Sequence, residues 1–580
     1  MNVMTSDFDV ASASGTSQEK PQNGIAGLKH LRHDILSGIV VSLVSLPLSS
    51  GIAIASGAPP VIGLISAIIA GFLFPLIGGA YMTIAGPAAG LAPALMAIMV
   101  SFGGAGDAHT VGEGYHFLLV VIFVVGCLQV VLSILKLARY AAIIPVVVVE
   151  GMLASIGLLI IIKQLPAFFG YTQKPHAHEF IQYVMEVPNY VRGMTGVTFG
   201  VALASLCLLF VLDGFKKYRI LQILPPHLIA VIFGSILGYV FQLGKVNPAF
   251  LVHLPENPFH GIHSPAFGEL LARRDLWTAA IVGIIMLTMI DGVESLATAM
   301  AIDRIDPFHR RSNANRVLLA MGISNIASSL VGGLTIIPGG VKSKANIAAG
   351  GRTLWANFTN SICLLIYLLL ATSLINMIPL CVLASVLIFT GWKMCEPVIW
   401  RHISQIGREQ LVIFSFTIAV TLMTDLLMGI IAGVVAKLIF DLWTYREATA
   451  IARASGIKGL SLISTFCNFF RNPVEKKEMA EGIYHLYVNK PLVCFNVMQM
   501  SQELDHIPEG AKAVCVHLNE NVALIDHTSV ENLLHAIEEY SHSAIPIEIV
   551  GPTPLMCLSK NRASVRVALP MSSENQGSSF

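Results

Sequence analysis

Thr83-Ile84-Ala85-Gly86-Pro87-Ala88-Ala89-Gly90 opens one apolar stretch of this chain, and Thr335-Ile336-Ile337-Pro338-Gly339-Gly340 opens another, 335 − 83 = 252 residues later. In each, Pro and Gly interrupt a hydrophobic run at a point where neither residue favours continuing a helix. From Pro338 to Ala349 is 12 residues, roughly 18 Å of helix against a hydrocarbon core of about 30 Å. A helix that short starts near the middle of a bilayer and does not cross it. Two interrupted segments at matching places in the two halves of a chain point to an inverted-repeat carrier with its site between them.

The rest of the chain supplies the setting. Its 580 residues are 54% hydrophobic and 12% charged, whereas a soluble domain carries roughly a quarter charged residues. Apolar runs near 35–55, 60–78, 83–102, 116–137, 142–163, 195–213, 222–242, 276–301, 313–333, 337–349, 354–377, 380–396, 409–425 and 427–444 read as fourteen spans, two of them short. The fold class expected is therefore a polytopic α-helical membrane protein, a 7+7 inverted repeat in the lipid bilayer. The first 29 residues contain no apolar segment of the signal-peptide kind, so no cleaved signal is expected. A net charge of +1 argues against a nucleic-acid partner.

Charge is informative through its placement. Lys29 and Arg32 precede the first run. Lys136 and Arg139, Lys216, Lys217 and Arg219, Arg304, Arg310, Arg311 and Arg316, Arg352, Lys393, Arg401 and Arg408, and Arg446 then follow even-numbered runs. The positive-inside rule puts those sides, and both termini, in the cytoplasm. Loops 164–194 and 243–275 fall outside. His176, His178 and Glu179, and His260 with His263, lie in those loops without a second ligand set and read as solvated surface. The nine cysteines are scattered, with no C-x-x-C pair and no histidine at ligand spacing along the chain. No metal and no disulfide framework is expected.

After Trp443 the composition turns polar, and short β-like runs alternate with helical ones. Residues 446–479 read as a linker. Strands are expected over Ile483–Val488, Leu492–Val497, Ala513–Leu518 and Pro546–Val550, with helices over Thr528–Tyr540 and from about Thr553. These make a small α/β domain over 480–571, between a disordered N-terminus (1–29) with the membrane region (30–445) and a disordered tail (572–580).

Several residues carry chemistry. Helix starts present unpaired N–H groups and about half a positive charge, and Gly86, Ala88, Gly339 and Gly340 are small enough to let an oxyanion approach them. Lys342, in the first turn after the tenth break, adds positive potential at a depth where a cation costs at least ~2.5 kcal/mol; Lys344 is expected to reach the interface. Asp291, Glu294 and Thr298 are spaced i, i+3, i+7 on one face of the eighth run. Glu294 is the expected ion-coupling group, holding H⁺ or Na⁺, with Thr298 as an oxygen ligand and Asp291 as a second acidic candidate; no other cofactor is implied. Ser49 and Ser50 follow Pro47 in the first run, and their hydroxyls face either a substrate or their own backbone.

The chain resembles the sulfate permease (SulP) family, solute carrier family 26 in animals. The likeness lies in Leu46-Pro47 with Pro59-Pro60-Val61-Ile62-Gly63-Leu64, in Gly86-Pro87, in Glu294-Ser295-Leu296 and in Gly350-Gly351-Arg352-Thr353, over about residues 30 to 570. The resemblance implies a core-and-gate membrane domain followed by a cytoplasmic STAS domain, a homodimer in the plasma (inner) membrane, and alternating access. It implies an anion site at Ser49, Ser50, Gly86, Ala88, Gly339, Gly340, Val341 and Lys342, opposite Glu294. Leu48 and Ile65 stand where the family often has Gln and Tyr, which leaves the substrate open. Thr528, two residues after Asp526, holds the place of a hydroxyl residue phosphorylated in bacterial anti-sigma antagonists. The residues themselves favour a plain helix start capped by Asp526 or Thr528, with a cytoplasmic regulator as the implied partner. The expected function is secondary active transport of a small anion, sulfate or bicarbonate first. Dicarboxylate or chloride transport, a nucleobase carrier of the same architecture, an uncoupled anion channel and a membrane-anchored STAS signalling protein are the alternatives.

Overall fold

Peptide groups in hydrocarbon must bond within their own segment, so apolar runs become helices wherever the backbone permits. The computed structural model describes residues 20–107, 110–138, 144–172, 180–215, 226–253, 262–308, 310–424, 426–453, 462–505, 507–508, 510–519, 522–542, 546–551, 555–559, 561 and 564–568. Arg139, Lys216, Lys217, Arg219, His176, His178, Glu179, His260, Thr553 and the two expected disordered ends, apart from residues 20–29, lie outside them.

The membrane part runs α1 (Leu31–Ala55), α2 (Pro60–Ile77), β1 (Ile84–Pro87), α3 (Ala92–Ser101), α4 (Tyr115–Ile134), α5 (Val146–Phe169), α6 (Phe180–Arg192), α7 (Gly196–Gly214) and α8 (Pro226–Val240). It continues with α9 (Trp277–Arg304), α10 (Ala314–Leu330), β2 (Ile336–Gly339), α11 (Gly340–Ala348), α12 (Trp355–Leu370), α13 (Leu380–Cys395), α14 (Pro397–Ile406), α15 (Arg408–Met423) and α16 (Leu426–Arg453). Among the described residues, eight helical stretches are long and apolar enough to cross a membrane, those of α1, α2, α4, α5, α7, α9, α13 and α16; α3, α8 and α12 are apolar but shorter.

Two bundles form. In one, α1 and α2 pack on α12, and α4 packs on α10 and α9; in the other, α5 packs on α13 and α15, and α7 on α13 and α8. At the α5–α13 crossing, a Cβ on Gly157 would strike the Gly391 carbonyl and a Cβ on Gly391 would strike that of Gly157, so only glycine at both positions lets the backbones meet.

Several boundaries differ from expectation. Helix α5 runs on to Phe169 and α6 occupies part of the loop expected at 164–194. Helix α16 continues to Arg453, because the residues after Trp443 are polar yet good helix formers.

Beyond α17 (Leu462–Phe469), β3 (Val474–Ala480) starts ahead of the expected 480 boundary. It is followed by β4 (Ile483–Val488), α18 (Val497–Asp505), β5 (Ala513–Leu518), β6 (Leu524–Ile525), α19 (His527–His542), β7 (Ile547–Val550), β8 (Leu555–Cys557) and β9 (Arg566–Ala568). The main sheet has the order β3-β4-β5-β7, parallel except for the β3–β4 hairpin; β6, β9 and β8 form a second small sheet. No strand spans Leu492–Val497: the Asn496 side chain accepts from the Val493 N–H (3.0 Å) and donates to the Pro491 carbonyl (2.8 Å), closing a turn that leads into α18. Where a helix was expected from Thr553, Leu555–Cys557 pairs with β9.

The last turns of α16 meet this domain. Tyr445 and Phe469 pack edge to face at 5.9 Å within a cluster that includes Val493, Phe495, Leu524 and Val565, against which Val434, Leu438 and Leu442 rest. Inside this seam Lys437, 1% exposed, bonds Asp441 one turn on and Asp526 at 3.1 Å. Asp526 also caps α19, accepting from Ser529 N (2.8 Å), and accepts from Cys494 N (3.0 Å). Burial alone would raise the Asp526 carboxyl, but the Lys437 ammonium and these hydrogen bonds hold it below its ordinary value. With a depressed folded pKa, its contribution is complete at neutral pH and is lost as pH falls below the unfolded value of about 3.9.

Lys437→Met leaves two buried carboxylates facing each other and should cost about 3–5 kcal/mol. Thermal unfolding in detergent and protease release of the C-terminal part should both shift accordingly. Asp526→Asn combined with Lys437→Met should recover part of that loss; strictly additive costs would contradict a direct pair.

Candidate functional site

The interrupted segments meet. β1 and β2 pair antiparallel, Ile84 with Gly339, Ala85 with Pro338, Gly86 with Ile337 and Pro87 with Ile336. All of this ribbon is buried except half-buried Gly339.

Two strands of four residues leave their outer edges unpaired, and side chains from the surrounding helices complete them. On the β1 side, Ala85 N donates to Asn357 Oδ1 (2.8 Å) and Ile84 N to Ser343 Oγ (2.9 Å). Asn357 Nδ2 in turn donates to the Thr83 carbonyl (2.6 Å), and Asn346 Nδ2 to that of Met82 (2.9 Å). On the β2 side, Ile336 N donates to Asn325 Oδ1 (2.7 Å) and Leu334 N to Ser66 Oγ (2.7 Å). Asn325 is itself oriented: its Nδ2 donates to Asp291 Oδ2 (3.0 Å) and Gln129 Oε1 (2.9 Å), while Gln129 Nε2 (2.9 Å) and Ser295 Oγ (3.1 Å) donate to Asp291. Both Asp291 oxygens are thereby engaged, in a network that ends on the β2 backbone.

The groups expected to bind or couple stand around this ribbon. Lys342, 1% exposed, donates from Nζ to Ser49 Oγ at 2.9 Å, and a Cβ on Gly86 would land on that ammonium nitrogen. Glu294, 6% exposed, abuts Gly90, where any Cβ would collide with its carboxylate; its Oε2 has no hydrogen-bond partner among the described residues. Among the described residues no ion pair joins Glu294 to Lys342. Ser50 Oγ is buried without a partner, Ala88 is buried, and Thr298 lies beside Gly340 at the start of α11. Val341 packs partly into the core and Lys344 is exposed. Among the described residues, no side chain caps the N-terminus of α3 or α11. The result is a buried ammonium with two further donors free to turn, small residues, two open helix starts and a carboxylate, all beside one interruption of the membrane helices.

A cleft of about 260 Å³ opens between α3 and α9 on one side and α5, α15 and α16 on the other; Met96, Val100, Lys163 and Thr421 line it, and Ser49, Glu294 and Lys342 do not. Lys163 Nζ reaches Met96 Sδ at 3.8 Å. Lys163 and the amide residues Gln129, Asn325, Asn346 and Asn357 were not singled out in the sequence. The signal available was their presence in apolar runs, where polar groups are expensive unless paired. Thr528 is 2% exposed and its Oγ1 has no partner, while Asp526 serves as the cap of α19.

Gly90→Ala should displace the Glu294 carboxylate and Gly86→Ala the Lys342 ammonium. Each should lower transport by about tenfold or more, the equivalent of losing one contact of about 1.4 kcal/mol, with near-normal yield of folded protein in detergent.

Comparison with known proteins finds a family and relatives over most of the chain. The Sulfate permease family matches residues 31–417. The chain is 26% identical over 407 residues to the bicarbonate transporter BicA of Picosynechococcus, covering 70% of this chain and 69% of that one. It is 25% identical over 514 residues to the putative sulfate transporter YvdB of Bacillus subtilis, covering 87% and 88%. Its fold matches the murine solute carrier 26 family member A9 anion transporter, solved in the inward-facing state, with TM-score 0.60 at 15% identity over 94% of this chain and 91% of that one. With more than half of its length matched, this chain is a member of the sulfate permease family, a family of membrane transporters and not of enzymes.

Proposed function

We propose that the chain carries bicarbonate or sulfate across the plasma membrane by alternating access, with the anion held between the starts of α3 and α11. The observation that carries this is the buried Lys342 ammonium beside Gly86, bonded among the described residues only to the neutral Ser49 hydroxyl. An uncompensated cation at that depth is costly unless an anion visits it. Ser49, Ser50, Gly86, Ala88, Gly339, Gly340 and Val341 supply the hydroxyls and the close-approach surface around it.

Glu294 is the coupling group, with Thr298 one turn on. A carboxylate about 5 Å from a bound anion repels it by about 3 kcal/mol at an effective dielectric constant near 20. Neutralising it with H⁺ or Na⁺ raises anion affinity by roughly two powers of ten and so ties the two fluxes together. Asp291, its oxygens already engaged by Gln129, Asn325 and Ser295, positions the ribbon. The fourteen expected spans form two interlocked repeats of seven: the bundle holding β1 and β2 is the moving core, and the bundle of α5, α7, α8, α13, α15 and α16 is the gate and the dimer surface. Both termini are cytoplasmic, and the C-terminal α/β part is a STAS domain.

Uptake of labelled bicarbonate, sulfate, chloride and a dicarboxylate into proteoliposomes, with and without Na⁺ and a pH gradient, tests the reading. Bicarbonate or sulfate should accumulate, and Lys342→Met should abolish uptake. Glu294→Gln should leave anion binding intact while removing its dependence on the driving ion. Asp291→Asn should lower thermal stability and keep that dependence. Accumulation by Glu294→Gln with unchanged ion dependence would refute the coupling role.

A further inference from the structure

Strands β4 and β5 lie side by side in parallel register, His485 opposite Cys515 and Tyr487 opposite His517. Tyr484, Leu486 and Val488, with Val514, Val516 and Leu518, fill the core together with Met500 and Leu533. Side chains alternate along a strand, so His485, Tyr487, Cys515 and His517 share the opposite face. There His485 Nδ1 and His517 Nε2 are 2.8 Å apart, and with Cys515 Sγ all three ligand atoms fall within 4.8 Å of one another. Tyr487 stacks on His517, centroids 4.6 Å apart and planes at 12°, which fixes the ring. Along the same row of cross-strand partners, His485 faces Glu478 on β3 and Cys515 faces Glu548 on β7.

We propose that this face of the C-terminal domain binds one zinc-class divalent transition-metal ion through His485, His517 and Cys515, with a fourth position left for water or the Glu548 carboxylate. Two imidazoles and a thiolate suit Zn²⁺ and its neighbours in the first transition row and reject Mg²⁺ and Ca²⁺, which take oxygen donors. Around tetrahedral Zn²⁺, with Zn–N of about 2.0–2.1 Å and Zn–S of about 2.3 Å, donor atoms stand roughly 3.3–3.6 Å apart. The imidazole nitrogens must therefore spread by about half an ångström, a small rotation of His485 on the half-buried face. On binding, the proton shared between the rings moves to the far nitrogen of its own ring and the Cys515 thiol loses its proton. The balance is M²⁺ plus Cys–SH giving M–S–Cys plus one H⁺. Spacing along the chain hides this group, because 29 residues lie between His485 and Cys515 and the sheet register joins them.

The full-length protein, stripped with a chelator and titrated with Co²⁺ in detergent, tests the site. One equivalent should bind with a thiolate-to-cobalt charge-transfer band and release one proton, and Zn²⁺ should displace it. Cys515→Ser should remove the band. His517→Asn should weaken binding beyond the roughly 10–100-fold that outer-shell changes cost. Should either variant fail to fold, maleimide labelling of the wild-type chain, read by peptide mass spectrometry, decides instead: Zn²⁺ should protect Cys515. No thiolate band, a band that survives Cys515→Ser, or a Cys515 equally labelled with and without Zn²⁺ would overturn the site.

Discussion

A peptide group deep in a bilayer that lacks a hydrogen-bond partner costs several kcal/mol, and the membrane part of this protein is arranged around two places where its helices stop. β1 and β2 resolve half of the difficulty by pairing with each other. Asn325, Asn346, Asn357, Ser66 and Ser343 resolve the other half from helices α10, α11, α12 and α2. The Gly and Pro residues that interrupt the helices and the amides that complete the broken backbone are two parts of one structure. Removing the amides would expose the edges, and removing the breaks would leave the amides without work in a medium that does not tolerate them.

This division explains what could be read from the chain alone. The breaks at Gly86 and Gly339 are local in sequence and declare themselves, as do Lys342 and Glu294, because charge in an apolar run is conspicuous. The neighbours of those residues are not local. Ser49 is 293 residues from the ammonium it accepts from, and Asn357 is 272 residues from the Ala85 amide it caps. Asp291 and Glu294 share a helix face by spacing, yet one is saturated with donors and the other has an oxygen without any. Helical periodicity places side chains on a face but says nothing about what the facing helix offers.

The C-terminal domain repeats the lesson at lower cost. Its strands β4, β5 and β7 were legible from β-branched alternation, whereas Leu492–Val497 has the composition of a strand and is turned by one asparagine, Asn496. The long extension of α16 was hidden because hydropathy marks where lipid ends, not where the helix ends. That extension sets the domain against the membrane part, with an apolar seam enclosing a cation and two carboxylates.

Order of synthesis gives that enclosed cation a history. Lys437 leaves the ribosome 526 − 437 = 89 residues ahead of Asp526, which at about 5–20 residues per second is roughly 4–18 s. For that interval its helix enters the bilayer with the more distant carboxylate not yet made. Asp441, one turn away on the same helix, is already there to neutralise it. A nascent chain so equipped can be inserted before its last domain exists, and folding of that domain then adds a second counter-charge to a site that was never left bare.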